Sequence, residues 1–149
     1  TRFGSKVMTV HDLIAEVAGL IALAAARRDR VGAVLFDDGV RTVIPPRLGW
    51  RQGLRVVREV LGAEPRGRGT ALDLAVRAAG RMLHRRGIVI ILADQACPLP
   101  RRELVALAGR HEVVVVRLED DLLETGLTGA SLPVIDAEAG SRGVVRGPG

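Results

Sequence analysis

The sequence predicts an α/β domain built on a three-layer, doubly wound and mostly parallel sheet. Amphipathic helical segments alternate with short apolar strands along most of the chain. One strand, Ile88–Ala93, has no polar alternation, which is typical of a strand buried on both faces. The length of 149 residues, with 48% hydrophobic and 26% charged residues, suits one folded domain and excludes a disordered chain. We therefore treat residues 1–149 as a single domain.

A capping signature opens the first predicted helix. Thr9 is the expected N-cap, and Asp12 follows it three residues later. Apolar residues then recur at helical spacing from Val10 to Ala24. Arginines between positions 27 and 30 close the helix, where cations are stabilised by the helix dipole.

A β-hairpin is predicted next. Val31–Phe36 is a short apolar run, and Val40–Ile44 is β-branched and alternating. The Asp-Gly pair at positions 38 and 39 between them favours a tight turn. Pro45 and Pro46 are expected to stop the second strand at the edge of the sheet.

The remaining elements continue the alternation. A second capping pattern, Thr70 with Asp73, is expected to open a helix, and the glycine-rich tail over 140–149 is expected to be flexible. The other predicted helices and strands are Trp50–Gly62, Arg101–Arg110, Val113–Val116, a short helix over Asp120–Leu127 and a last strand over Leu132–Ile135.

Charge and hydropathy limit the classes of function that this sequence fits. The net charge is +5, but arginines occur in every segment and only three aromatic residues could stack on bases, so we expect no nucleic-acid binding. The longest apolar stretch, Leu13–Ala26, is too short to span a bilayer. We expect a cytoplasmic domain that meets a membrane only through segments of a longer parent protein. Cys97, the only cysteine, is expected to be an unreactive loop residue.

Two features converge where ligands bind in open α/β sheets, outside the carboxyl ends of the strands. Asp94 is the first polar residue after Ile88–Ala93, and either ligates a divalent cation or is a simple loop carboxylate. Thr70 ends the Gly-Arg-Gly-Thr loop that begins at Gly67, and offers a hydroxyl as a metal ligand or as an N-cap. The loop lacks the Gly-Lys-Ser/Thr ending of a nucleotide-binding loop. No paired carboxylates, histidine cluster or Ser-His-Asp pattern points to an enzyme.

The sequence resembles a von Willebrand factor A-type domain in three stretches that occur in the same order. These stretches are Asp29–Phe36, Gly67–Asp73 and Ile90–Asp94. They are most similar to a bacterial, uncharacterised A-type family often encoded beside MoxR-type AAA+ ATPases. In the wider fold, a metal-ion-dependent adhesion site combines an Asp-x-Ser-x-Ser motif, a threonine and an aspartate. Thr70 and Asp94 match the threonine and the aspartate of that set.

The resemblance also implies what this sequence lacks. The Asp-x-Ser-x-Ser motif is absent, and the start Thr1–Ser5 is similar to the residues that follow it in the family. The family's strand order, 3-2-1-4-5-6, makes the missing first strand central. We expect that strand to lie outside this sequence, or another segment to fill its place. Mg²⁺ or Mn²⁺ is then expected to bind weakly, if at all, to this chain alone.

These observations lead to three hypotheses. The first is a non-enzymatic protein-binding module with an incomplete metal-ion-dependent adhesion site, working with a MoxR-type ATPase in the assembly or maturation of complexes. The second is a structural domain whose metal site has decayed, and the third is a phosphate-handling α/β enzyme. The first hypothesis places the partner in contact with the loop residues Gly67, Arg68, Gly69 and Gln95.

Overall fold

A computed structural model describes residues 8–64, 66, 69–118, 131–136 and 142–146, the last two ranges by their backbone alone. The described residues form four helices and six strands, which confirms the mixed α/β class. Their bounds are α1 (Val10–Ala25), β1 (Arg30–Phe36), β2 (Val40–Leu48), α2 (Trp50–Leu61), α3 (Leu72–Met82), β3 (Ile88–Asp94), α4 (Arg101–Ala108), β4 (Glu112–Leu118), β5 (Ser131–Asp136) and β6 (Arg142–Arg146).

The strands form two sheets. β1 and β2 pair as an antiparallel hairpin, and the other four strands lie in the order β3-β4-β5-β6. Only β3 and β4 are parallel, whereas β4–β5 and β5–β6 are antiparallel. The described sheets are therefore less parallel than the sequence predicts. β5 and β6 are joined by a link of only a few residues, which is too short for the crossover that parallel neighbours need.

Strand β6 was not expected from the sequence. It lies inside the segment 140–149, for which the glycine content predicts a flexible tail, and it pairs with β5. The predicted last strand is confirmed within β5. The short helix predicted over Asp120–Leu127 lies outside the described residues.

The start of α1 confirms the predicted capping box. The Thr9 hydroxyl accepts a hydrogen bond from the Asp12 backbone N–H, and the Asp12 carboxylate accepts one from the Thr9 backbone N–H. Two backbone N–H groups at the start of α1 thereby gain a hydrogen-bond acceptor. The helix begins at Val10, as the sequence predicts.

The prediction that Pro45 and Pro46 stop the second strand is wrong, because β2 runs on to Leu48. The pairing register shifts between Val31 and Ala33, so the prolines lie where the regular ladder is interrupted. A proline has no N–H to donate, and a bulge on an edge strand tolerates that loss.

Two residues, Gln52 and Gly32, allow this bulge to form. The buried Gln52 side chain of α2 donates hydrogen bonds of 2.9 Å to the carbonyl oxygens of Val31 and Pro45. Gly32 lies against the bulge, where an added Cβ would lie 2.4 Å from the Ile44 carbonyl oxygen and 2.8 Å from the Pro46 nitrogen. Glycine is required here because backbone atoms fill the space of a side chain.

Two hydrophobic clusters use alternate residues of β1. Val34 and Phe36 pack with α3, α4, β3 and β4, in a cluster that contains Leu72, Val76 and Ile91 among others. Val31, Ala33 and Leu35 pack instead with residues of α1, β2 and α2, namely Ala22, Ile44 and Val56. The two faces of the hairpin are thus covered by different helices.

The prediction that Ile88–Ala93 is buried on both faces is wrong for its first half. Ile91 and Ala93 are buried under α3 and α4, whereas Ile88 is 63% exposed and Ile90 is 40% exposed. α1 contacts β3, but it does not cover these two side chains. An uninterrupted apolar run therefore does not distinguish a fully covered strand from one with an uncovered face.

β1 and β3 share a hydrophobic cluster without sharing hydrogen bonds. Side chains of both strands pack with α3, and α1 contacts both strands. Yet within the described ranges β1 pairs with β2 alone and β3 pairs with β4 alone. The strand that the resemblance places at the centre of the sheet is not among the described residues.

Gly32→Ala is expected to lower the free energy of unfolding by about 2 kcal/mol, because the new methyl group would overlap backbone atoms of the β2 bulge. Urea denaturation followed by circular dichroism measures this change. Gly39→Ala is the matched control in the same hairpin, since a Cβ there meets no atom within 4 Å. Equal effects of the two substitutions would contradict the role assigned to Gly32.

His111, between α4 and β4, is a buried histidine whose ring makes no hydrogen bond with any described residue. It is 4% exposed, and neither ring nitrogen has a hydrogen-bond partner within the described part of the chain. Burial lowers the pKa of His111 below its ordinary value, and the positive charges of Arg110 and Arg86 lower it further. The neutral imidazole is therefore the form that the fold accommodates.

The free energy of unfolding is expected to fall as the pH drops below about 6.5, where the unfolded chain protonates His111 more readily than the folded protein does. Denaturant titrations between pH 7.5 and pH 5.0 measure this loss. His111→Phe removes the group, so its stability is expected to decrease less over the same range. An identical pH dependence in both proteins would show that His111 does not contribute.

Candidate functional site

Three segments meet at the carboxyl ends of β1 and β3. The Ala71 backbone N–H donates a 2.6 Å hydrogen bond to the Asp37 carbonyl oxygen, which ties the start of α3 to the end of β1. Leu72, in the first turn of α3, belongs to the same hydrophobic cluster as Ala93 and Cys97 at the end of β3. The structure thus brings the segments that carry Thr70 and Asp94 to one end of the fold.

The prediction that Thr70 caps α3 is wrong. The helix begins at Leu72 with Ala71 as its N-cap, and no side chain donates or accepts a capping hydrogen bond there. The hydrogen bond from Ala71 to Asp37 holds the backbone one residue past the predicted cap. Thr70 is exposed, and its hydroxyl has no hydrogen-bond partner within the described residues. Capping therefore does not account for a threonine at this position.

Asp94 is the last residue of β3, and its side chain is exposed. Its carboxylate has no hydrogen bond or ion pair with any residue that the structure describes, while its carbonyl oxygen accepts a bond from the Cys97 backbone N–H. The next residue, Gln95, is also exposed, and its backbone N–H donates to the Leu118 carbonyl oxygen at 3.2 Å. Both side chains are thus available to a ligand or a partner.

The loop before α3 is described only in part. Gly67 and Arg68, two of the residues predicted to contact a partner, lie outside the described residues. Gly69 is exposed and lies beside Asp38, with the position of its Cβ 3.4 Å from the Asp38 Cβ. The end of this loop therefore packs on the turn of the β1–β2 hairpin.

Asp37, which directly follows β1, is a further residue of this site. Its carboxylate accepts hydrogen bonds from Arg41 Nε at 2.5 Å and from the Arg66 backbone N–H at 3.3 Å. It also accepts a longer one from the Gly39 backbone N–H at 3.4 Å. Asp37 follows the carboxyl end of β1 as Asp94 ends β3, so the strand-end argument applied to Asp94 would also have found it.

These contacts decide the protonation state of Asp37. Partial burial alone would raise the pKa of its carboxyl group, since the side chain is only 13% exposed. The hydrogen bonds from Arg41 and the Arg66 backbone, with the positive charge of Arg41, outweigh burial and hold the pKa well below its usual range. Asp37 is therefore a permanent anion that anchors the loop, and its oxygens already have donors.

Cys97 is a buried residue in the turn that follows β3. It is 2% exposed, and burial, followed by the negative charge of Asp94, raises the pKa of its thiol. Its carbonyl oxygen accepts a 2.9 Å hydrogen bond from Arg117 Nη2, which fixes the turn after β3 to β4. The expectation of an unreactive thiol agrees with this burial.

The arrangement offers few ligands for a metal ion. Within the described residues no group of three or more histidine, cysteine, aspartate or glutamate side chains could hold a metal. Thr70 and Asp94 supply a hydroxyl and a carboxylate that have no other partner among the residues described. Mg²⁺ is often held by one or two carboxylates while water completes its shell, so these two groups suit a minor share of its coordination.

Comparisons with known proteins identify a family and a few relatives. The family described as "Protein of unknown function DUF58" matches residues 1–146. Uncharacterised proteins of Mycobacterium bovis and of two strains of Mycobacterium tuberculosis are each 30% identical to the chain over 122 residues. The match covers 79% of this chain but only 38% of each relative. No solved structure matches the chain.

One further finding concerns membranes. None of the helices in the described ranges combines the length and the apolar character that crossing a bilayer demands.

Asp37→Ala is expected to accelerate hydrogen exchange at the Arg66 amide by about tenfold, because that N–H loses a charged acceptor. Exchange monitored by NMR measures the rate. Asp38→Ala is the matched control, since Asp38 contacts Arg41 whereas the Arg66 amide donates to Asp37. If Asp38→Ala accelerated the Arg66 amide equally, Asp37 would not be the anchor of this loop.

Proposed function

We propose that this chain, which belongs to the DUF58 family of unknown function, is a non-enzymatic protein-binding module whose partner docks where β1 and β3 end. The observation that carries the proposal is the exposed pair Thr70 and Asp94. Their oxygens have no partners within the described residues, although hydrogen bonds and packing hold the surrounding backbone in place. A preorganised end of a sheet with uncommitted polar groups is typical of a binding site in α/β folds.

Mg²⁺ or Mn²⁺ is proposed to complete the contact, as in the adhesion sites of von Willebrand factor A-type domains. Thr70 and Asp94 would each supply an oxygen to the ion, directly or through water. Asp37 stays outside this set, since Arg41 and the Arg66 amide occupy its carboxylate. An acidic side chain of the partner would be the last ligand, because a hard cation prefers carboxylate oxygen.

The remaining ligands are proposed to come from a strand between β1 and β3 that would complete a three-layer A-type sheet. Two facts support such a strand. β1 and β3 pack under the same helix, and each has one edge without a strand partner in the described part of the chain. Unpaired backbone groups at two facing edges are unfavourable, and a strand that pairs with both would satisfy them.

A MoxR-type AAA+ ATPase is the proposed partner, with a role in the assembly or maturation of protein complexes. This part of the proposal follows from the resemblance of the three sequence stretches around positions 29–36, 67–73 and 90–94. The chain spans only 38% of its curated relatives, so segments beyond it are expected to share in that work.

Asp94→Asn is expected to abolish Mn²⁺ binding, because the amide keeps the shape of the carboxylate without its charge. Isothermal titration calorimetry is done on the protein with its upstream coding sequence included, so that the proposed strand is present. Glu112→Gln is the matched control, since Glu112 lies at the opposite end of the sheet beside Ile88. Thr70→Val is expected to weaken binding, and Thr70→Ser to retain it.

Other outcomes separate the alternatives. No Mn²⁺ binding by the extended protein, or equal binding by Asp94→Asn, would show that the metal site has decayed and that the domain is structural. Hydrolysis of p-nitrophenyl phosphate that disappears in Thr70→Ala would instead establish a phosphate-handling enzyme.

A further inference from the structure

A groove with a volume of about 760 Å³ lies between α3 and α4. The apolar part of its lining, called the floor below, consists of Val76, Leu83, Ala106 and Leu107, of which Val76 and Leu107 also belong to the core cluster. The two helices approach closely at Gly80, where an added Cβ would lie 3.4 Å from Leu107 Cδ1. The two helices are thus in direct contact where they border the groove.

The walls of the groove are strongly cationic. Among the described lining residues Glu103 is the single carboxylate, and it already pairs with Arg77 at 2.8 Å. Three more arginines have no ion pair within the described residues, so the groove presents three unmatched positive charges, with His84 beside them. The three are Arg81, Arg102 and Arg110.

The Arg77–Glu103 pair has a different role from the unmatched arginines. It links the middle of α3 to the start of α4, and Glu103 is only 18% exposed. Arg77 lowers the pKa of Glu103, so the pair stays ionised at neutral pH. It therefore helps to fix the spacing of the two helices that form the groove.

We propose that this groove binds an acidic, amphipathic helix of a protein partner, independently of the site at the ends of β1 and β3. Arginine forks bind carboxylates in a bidentate manner, so the three free arginines suit glutamates along the rims of such a helix. The apolar floor suits leucine or alanine side chains on its inner face. α3 and α4 have 11 and 8 residues, so the groove is about 12 Å long and takes about two turns of helix.

A nucleic acid is a poorer match for the same charges. Among the described residues no phenylalanine, tyrosine or tryptophan lines the groove, so His84 and the arginine planes are the available surfaces for stacking bases. A phosphate backbone gains nothing from the apolar floor, whereas an amphipathic helix uses both the floor and the walls. Charge complementarity and the apolar floor together favour the acidic helix.

The test uses a fluorescein-labelled, 14-residue helical peptide with leucines at helical spacing and flanking glutamates, followed by fluorescence polarisation. Arg81→Gln with Arg102→Gln is expected to raise the dissociation constant about tenfold or more, since arginines near the centre of an interface carry much of its affinity. Ala106→Glu keeps every arginine, adds a repelling charge to the floor and is expected to have a similar effect.

The matched control is Arg51→Gln with Arg55→Gln, which removes the same charge from a smaller arginine-lined hollow on α2. We expect it to change the dissociation constant less than twofold. A peptide with glutamine in place of glutamate is expected to bind at least tenfold more weakly. Circular dichroism confirms that each variant is folded.

Three results would overturn the proposal. The peptide does not bind at millimolar concentration, or the two double variants weaken it equally, or a 15-nucleotide single strand binds more tightly and alone responds to the groove variants. Because the test needs no metal and leaves Asp94 intact, its failure would not affect the function proposed for the sheet ends.

Discussion

The packing of α3 against both β1 and β3 positions the other features of this fold. Leu72 and Val76 lie in one cluster with Phe36 of β1 and Ile91 of β3, so a single helix joins two sheets that share no hydrogen bonds in the described part of the chain. The first turn of α3 then fixes the residues before it at the ends of both strands. Its outer face forms one wall of the groove with α4. Both proposed binding surfaces depend on where this one helix lies.

Local signals in the sequence predicted the elements well. The Thr9–Asp12 capping box, the hairpin and the helix that begins at Trp50 were all predicted with near-correct bounds, because each depends on residues close in sequence. The errors concern contacts between distant residues. A strand continues through Pro45 and Pro46 because Gln52 and Gly32 accommodate the bulge, and no pattern within β2 records that support.

The candidate site shows the same division. Asp94 and Thr70 could be singled out from the carboxyl-end rule, which needs only the order of strands and loops. The anchoring role of Asp37 could not be predicted, because its partner at Arg66 lies 29 residues away in the sequence and the contact is to a backbone amide. Thr70 looked like a cap from its spacing to Asp73, but a hydrogen bond from Ala71 to Asp37 places the helix start one residue later than predicted. This tertiary contact excludes the role of N-cap for Thr70, and the role of metal ligand stays open as a proposal.

The buried Cys97 gives this protein a natural reporter of how often the end of β3 opens. It is the only thiol in the chain, it lies three residues after Asp94, and its protonated form is favoured by burial. Alkylating reagents attack the thiolate, so they react with this residue only in conformations that expose it to solvent. The labelling rate of the unmodified protein therefore measures the opening of its own candidate site, with no engineered probe.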